Sequence, residues 1–303
     1  MVLWVRYTLF RMKRALIIIV AGLLISCTSR PREIPIENID ASFVARGEYL
    51  AKSVAACGFC HGEQPSPAYP LSGGRVLNDV LGEINAPNLT PHDSGLEGWK
   101  INRIVGAIRN SVDRRGEGFS PVFHQGAEWM SDTDAISIAA YLQSVPAVDN
   151  KVNRRDLDFI TRNTLGLFKL SGSEVPGYVP AIDGSNPVAR GEYIVNHVSR
   201  CQQCHNAGSS IIGGDGYLRG GKGVKFNGKE GVAPALLGDD TTIQSWSDIE
   251  IERFLRTGVT KYSRVVDPDL CPINFYKLAA EEDVSAIAAY LRSLSVTDAS
   301  SGN

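Results

Sequence analysis

The feature that most limits what this 303-residue chain can become is an internal duplication. "ARGEYLAKSVAACGFCH" ends at His61 and "ARGEYIVNHVSRCQQCH" ends at His205; Arg46 to Arg190 and Cys57 to Cys201 are both 144 residues apart. Downstream, "LSGG" ending at Gly74 matches "LRGG" ending at Gly221 at an offset of 147. The same 147 relates Ala86–Pro87 to Ala233–Pro234, Trp99 to Trp246 and Arg109 to Arg256. The closing segments "AISIAAYLQS" and "VSAIAAYLRS" set Tyr141 against Tyr290, an offset of 149. Repetition at this length means tandem globular units rather than a solenoid. The chain is long enough for two such units, each with its own core.

Pattern within each copy points to helices. Residues 42 to 56 read as a short helix leading into the cysteine pair. Ile101, Ile104, Val105 and Ile108 recur at helical spacing, as do Ile249, Ile251, Phe254 and Leu255 in copy two. "SDTD" from Ser131 resembles a capping box that launches a helix with Ile136, Ala139, Ala140 and Tyr141. The intervening loops are rich in glycine and proline with little strand pattern, so each copy is expected to be mostly helical and loop-rich. The copies span 42–148 and 185–297, joined by a linker over 149–184 in which Leu157 to Leu170 could form one more helix.

The N-terminus belongs to neither copy. Arg6, Arg11, Lys13 and Arg14 precede the apolar run "ALIIIVAGLLIS", a pattern that predicts an export segment over residues 1–27. The run is short for a membrane span. It ends in "LISC", which resembles a bacterial lipobox; that resemblance implies cleavage before Cys27 and lipid on its sulfur, with a retained apolar anchor as the alternative. Either way the rest of the chain is expected outside the cytoplasm, on the periplasmic side of a bacterial membrane and anchored to it. With 31 basic and 33 acidic residues, charge is nearly balanced and nothing points to nucleic acid.

Five cysteines remain: Cys57, Cys60, Cys201, Cys204 and Cys271. A disulfide framework is unneeded in units of this size. A redox dithiol would sit beside a βαβ pattern, which is missing. A zinc site could draw on Cys57, Cys60, Cys201 and Cys204, but would leave the duplicated histidines without a role. On a helical turn, residues i, i+3 and i+4 share one side. Cys57 and Cys60 can then reach two neighbouring vinyl groups of a porphyrin while His61 faces its iron, and Cys201, Cys204 and His205 can do the same. The motif therefore predicts two covalently bound haem c groups, with His61 and His205 as proximal iron ligands.

These residues, with the GG turn, "APNLTP", Trp99 and Arg109, and the terminal "AAYLQS", resemble the bacterial diheme cytochromes c. That family includes cytochrome subunits of membrane-associated alcohol and sugar dehydrogenases and diheme sulfur-oxidising cytochromes. The resemblance implies an all-α fold of two tandem small cytochrome c domains, each loop-rich and built around one covalent haem. It also implies that Trp99, Arg109, Trp246 and Arg256 flank the haems, the arginines near the propionates.

The resemblance usually supplies a methionine on the far side of the iron, in an "MP" dipeptide before the last helix. This chain has only Met1, Met12 and Met130. In copy two, Cys271 stands directly before Pro272 where that methionine is expected. A thiolate there would favour ferric iron and lower the reduction potential; the alternatives are a buried or free thiol, or one used in a disulfide with another chain. In copy one the 147 offset matches Cys271 to His124, whereas counting back from the last helix gives Val122, which cannot bind iron. Met130, at the start of a helix where a core residue is expected, and His92, in a loop, are the other candidates, as is an open site. His197 reads as a plain surface histidine.

The leading functional reading is a diheme carrier that passes single electrons between a dehydrogenase or quinol-linked donor and a terminal acceptor such as another cytochrome or an oxidase. The alternatives are a haem enzyme, similar to a thiosulfate dehydrogenase or a peroxidase and using the Cys271-side haem, or a structural subunit that houses haem. No catalytic residue is assigned, and the chain reads as an electron-transfer protein or subunit more than as a stand-alone enzyme. "GGDGYLRGGKG" lacks the ending of a phosphate-binding loop and reads as an ordinary loop.

Overall fold

A computed structural model describes residues 39–79, 82–112, 123–153, 155, 175, 177–207, 216–238 and 242–294. The export segment with Cys27, Val122 and the helix expected over 157–170 lie outside them.

Helix α1 (Ala41–Lys52) begins at Asp40, whose carboxylate accepts the Ser42 N–H at 2.8 Å. It stops short of the cysteine pair, which forms its own short helix α2 (Cys57–His61). Next come strands β1 (Val76–Asp79) and β2 (Gly82–Asn85), then helix α3 (Ile101–Asn110). Helix α4 (Asp132–Ser144) starts at Ser131, whose hydroxyl accepts the Asp134 N–H at 3.2 Å. Copy two repeats the order, with one added short helix before the last, as α5 (Pro187–Tyr193), α6 (Gln202–His205), β3 (Gly223–Phe226), β4 (Lys229–Val232), α7 (Asp248–Thr257), the added α8 (Ile273–Tyr276) and α9 (Glu281–Ser293). Asn186 caps α5 with Pro187 in its first turn, and Ser247 with Glu250 forms a full capping box on α7.

The all-α expectation is wrong. The four strands form one antiparallel sheet in the order β2-β1-β3-β4. Each copy contributes a hairpin, and the two hairpins meet where Leu77 pairs with Phe226. The strands of the first hairpin, VLND and GEIN, lack the strict apolar–polar alternation that announces a strand. The pairing that makes two hairpins into a sheet joins residues about 150 apart, which no local pattern can announce. Ile249 also departs from expectation: it is 74% exposed in the first turn of α7, while Ile251 and Leu255 are buried as expected.

Apart from 177 and 178, the described residues belong to one compact unit, and its halves exchange side chains about the duplication. Asp134 takes Arg46 of its own copy at 2.9 Å and the Tyr193 hydroxyl of the other at 2.8 Å. Asp283 takes Arg190 at 2.6 Å and the Tyr49 hydroxyl. The two tyrosine oxygens in turn accept the Ser131 and Ala280 N–H groups, each at 3.0 Å. Both carboxylates are buried, so each needs these partners to offset its lost hydration. A second shared region packs Phe59 of α2 edge-on against Phe226 of β3 at 4.9 Å, with the Arg75 guanidinium over both rings.

Candidate functional site

Each cysteine pair rides on a tight turn entered through a left-handed residue: Ala56 has φ 47° and Arg200 has φ 55°. Non-glycine residues adopt this conformation uncommonly. Its recurrence at equivalent positions shows that both copies bend the backbone sharply just before the first cysteine.

The glycine and proline loops downstream of each turn hold its histidine from two sides. The N–H groups of Gly73 and Gly220 donate to the carbonyls of His61 and His205, at 2.8 and 2.6 Å. Both glycines have positive φ, and an added Cβ would lie 2.5 Å from Pro87 carbon at one and 2.2 Å from Ala235 nitrogen at the other. The imidazoles point at the facing strand of chain: His61 Nδ1 lies 3.0 Å from the Pro87 carbonyl and His205 Nδ1 lies 2.8 Å from that of Pro234. A carbonyl only accepts, so Nδ1 donates and the lone pair of the neutral ring resides on Nε2. Burial lowers the pKa of His205, which favours that neutral form. A backbone acceptor on one nitrogen, fixing the other for a metal, is how proteins orient histidine ligands. The repeated "GG" and "AP" dipeptides are visible in the sequence; that they form this clamp is not.

The cysteines are unpaired by disulfides, and burial pushes the thiols of Cys57 and Cys60 up to about 11 and that of Cys201 up to about 12. Burial raises Cys204 as well. A working redox dithiol requires the opposite shift. Among the described residues, the only group of three or more His, Cys, Asp or Glu ligand atoms that converge as a metal cage would is His92, Asp93 and Asp149. The four motif sulfurs therefore do not meet as a zinc site would need, and His92 is engaged with Asp93 at 2.8 Å and Ser94 at 2.9 Å. The two motifs nonetheless lie near each other: Cys204 of copy two helps raise the Cys60 thiol of copy one, and the Arg200 guanidinium bears on all four sulfurs.

Cys271 lies near the copy-two pair and, like it, is half-buried. Burial pushes its thiol up to about 12, with Cys204 and Cys201 adding to the shift. His124 faces His61, with ring centroids 6.3 Å apart, and its Nδ1 lies 3.0 Å from the Ala107 carbonyl. Met130 is 2% exposed, at the turn that leads into α4.

The flanking residues are more varied. Arg109 is buried, bound to Asp132 at 2.6 Å and to the Glu128 carbonyl at 3.1 Å. Arg256 donates to the Ala279 carbonyl at 2.9 Å. Trp99 is half-buried and its carbonyl accepts from Gln143. Trp246 is buried against Phe254 and Tyr262, and its indole N–H meets no acceptor among the described residues. Buried donors need acceptors, so a bound group with carboxylates would answer that demand. His197 is not a plain surface residue: it lies on a π turn, Ile194–Val198, and its Nδ1 is 2.8 Å from the Gly126 carbonyl.

Paired thiols on a turn, an oriented imidazole beside each pair and an unanswered buried donor together fit a porphyrin attached at one edge and ligated from one face. No family model matches the chain. It is 27% identical over 277 residues to the cytochrome c subunit of a quinone-dependent alcohol dehydrogenase from Gluconobacter oxydans, covering 85% of this chain and 56% of that protein. It is 28% identical over 261 residues to the fructose dehydrogenase cytochrome subunit of Gluconobacter japonicus, covering 83% and 52%. A diheme cytochrome c-type protein of Cereibacter sphaeroides is 26% identical over 259 residues, covering 82% and 84%. The chain is similar to the cytochrome c subunits of dehydrogenases. It spans a little over half the length of the two subunits named first and most of the length of the diheme protein. Among its described residues no helix is long and apolar enough to cross a membrane.

Proposed function

We propose that the chain is a two-haem electron-transfer subunit that works outside the cytoplasmic membrane, anchored through its N-terminal segment, and receives electrons from a dehydrogenase. The observation that carries this reading is the twice-built clamp, in which a CxxCH turn presents a histidine whose Nδ1 is fixed by a proline carbonyl. Haem c supplies reversible one-electron exchange at its iron. The chain's own residues do the rest. Cys57 and Cys60, and Cys201 and Cys204, hold one porphyrin edge each through thioether bonds. His61 and His205 bind iron through Nε2, and the Gly73 and Gly220 amides keep the histidine backbone in place. Trp246, and the unsatisfied Nη2 of buried Arg109, offer donors to carboxylates. The closeness of the two attachment turns favours electron passage within the chain, and the positive charge of Arg200 acts on both.

The supporting test is a stoichiometric reductive titration of the purified chain without partners. It should consume two electrons per chain, and a Cys201→Ala/Cys204→Ala double variant should consume one. Uptake of no electrons by the intact chain would end the proposal. A second reading, a haem enzyme similar to thiosulfate dehydrogenases or peroxidases, is favoured only by half-buried Cys271. It predicts turnover by the isolated chain, where a carrier gives none.

A further inference from the structure

The loop that bears His124 belongs to copy one but is held by copy two. Three successive donors from the segment around the second CxxCH turn grip its carbonyls. Arg200 Nη1 donates to Phe123 O at 2.6 Å, Gln203 Nε2 to Gln125 O at 3.0 Å, and His197 Nδ1 to Gly126 O at 2.8 Å. Gly126 itself has φ 96°, and a Cβ there would strike Gln202 Nε2 at 2.4 Å and Asn196 O at 2.5 Å. The loop is thus pinned on both sides of His124 by residues that also shape the other attachment site.

Within that loop His124 is oriented as a ligand is. Its Nδ1 donates to the Ala107 carbonyl of α3, which leaves the lone pair on Nε2, as in His61. The two rings face each other with centroids 6.3 Å apart and planes tilted by 54°. Two imidazoles bonded on opposite sides of one metal ion at about 2.0 Å each have centroids about 6 Å apart. The 6.3 Å spacing of the two rings accommodates a metal ion held between them. Met130, by contrast, is packed into the turn ahead of α4.

We propose that His124 is the second axial ligand of the iron bound by His61, so that the first haem is held by two histidines, the distal one positioned by His197, Arg200 and Gln203 of the other copy. This rests on the two-haem reading of the chain. It makes the first haem's ligand set depend on the backbone that attaches the second.

Near-infrared magnetic circular dichroism of the ferric wild-type chain is the first test, because the energy of the charge-transfer band reports the axial pair. A bis-imidazole component is expected, and its absence overturns the proposal. His124→Ala should then convert half of the low-spin signal to high-spin, and added imidazole should restore it. Both low-spin signals surviving the substitution unchanged would also overturn the assignment. Should the alanine variant fail to accumulate, His124→Met keeps a ligand in place and should replace the bis-imidazole band by a histidine–methionine one. Failure of the underlying reading is distinguishable: a chain mass without haem removes both claims, whereas two haems with no bis-imidazole band removes only this one.

Discussion

Gly191→Ala is expected to cost about 3 kcal/mol of stability, at the upper end of the range for overpacked sites. A Cβ at Gly191 would lie 1.9 Å from the Ala286 carbonyl oxygen and 2.6 Å from the Tyr290 Cβ, where α5 crosses α9. Neither neighbour can yield alone, since one is helix backbone and the other is the first side-chain carbon of a buried tyrosine. The helices must separate, and with them Arg190 and Asp283, whose 2.6 Å ion pair spans the same crossing. Gly47 meets the Ser137 carbonyl at the same 1.9 Å where α1 crosses α4, so Gly47→Ala should behave alike. Gly223→Ala is the control: nothing lies within 4 Å of its added Cβ, and its effect should stay within about 0.5 kcal/mol. Denaturant midpoints of the three haem-loaded variants would check this, and a Gly191→Ala midpoint equal to the control would refute the close crossing.

Cys271→Met is expected to raise the reduction potential of one haem by on the order of 0.1 V or more, given that axial ligands set potentials across about 0.8 V. The direction follows from chemistry. Thiolate donates strongly to ferric iron, whereas methionine paired with histidine raises the potential. Cys271 lies on the turn after Asp267, whose carbonyl accepts the Cys271 N–H at 3.1 Å, close enough to Cys201 and Cys204 for both to raise its thiol. That thiol is pushed up to about 12, chiefly by burial, so only a bound cation would hold it deprotonated at neutral pH. Spectroelectrochemistry should show one potential moving and the other, that of the haem on His61, holding within a much smaller range. Two unmoved potentials would make Cys271 a thiol with no part in ligation.

How much of the fold and site was legible in the chain depends on the range over which each feature acts. The CxxCH turns are local, and the duplicated offsets of 144, 147 and 149 identify the equivalent histidines, glycines, prolines and tryptophans without coordinates. Caps at Ser131 and Ser247 are written within four residues and formed as such. The sheet was not legible, because β1 and β3 gain their pairing only when the two copies meet. Nor was the exchange of Tyr49 and Tyr193 between Asp283 and Asp134: each tyrosine sits in a plain amphipathic helix, and its partner lies in the opposite copy. His197 illustrates the same limit. Its equivalent in copy one is Ser53, and only the π turn in copy two carries the ring to Gly126. His124 lay between these cases, since the 147 offset singled it out while the three donors that hold its loop come from the other copy.

The central claim is that one chain holds two covalent haems, one on each copy of the repeated turn. Intact mass under denaturing conditions tests it most directly, because thioether bonds survive where non-covalent ligands are lost. The account predicts a mass equal to the polypeptide plus two haems, falling by one haem when Cys57 and Cys60 are both replaced. A mass equal to the bare polypeptide would contradict it.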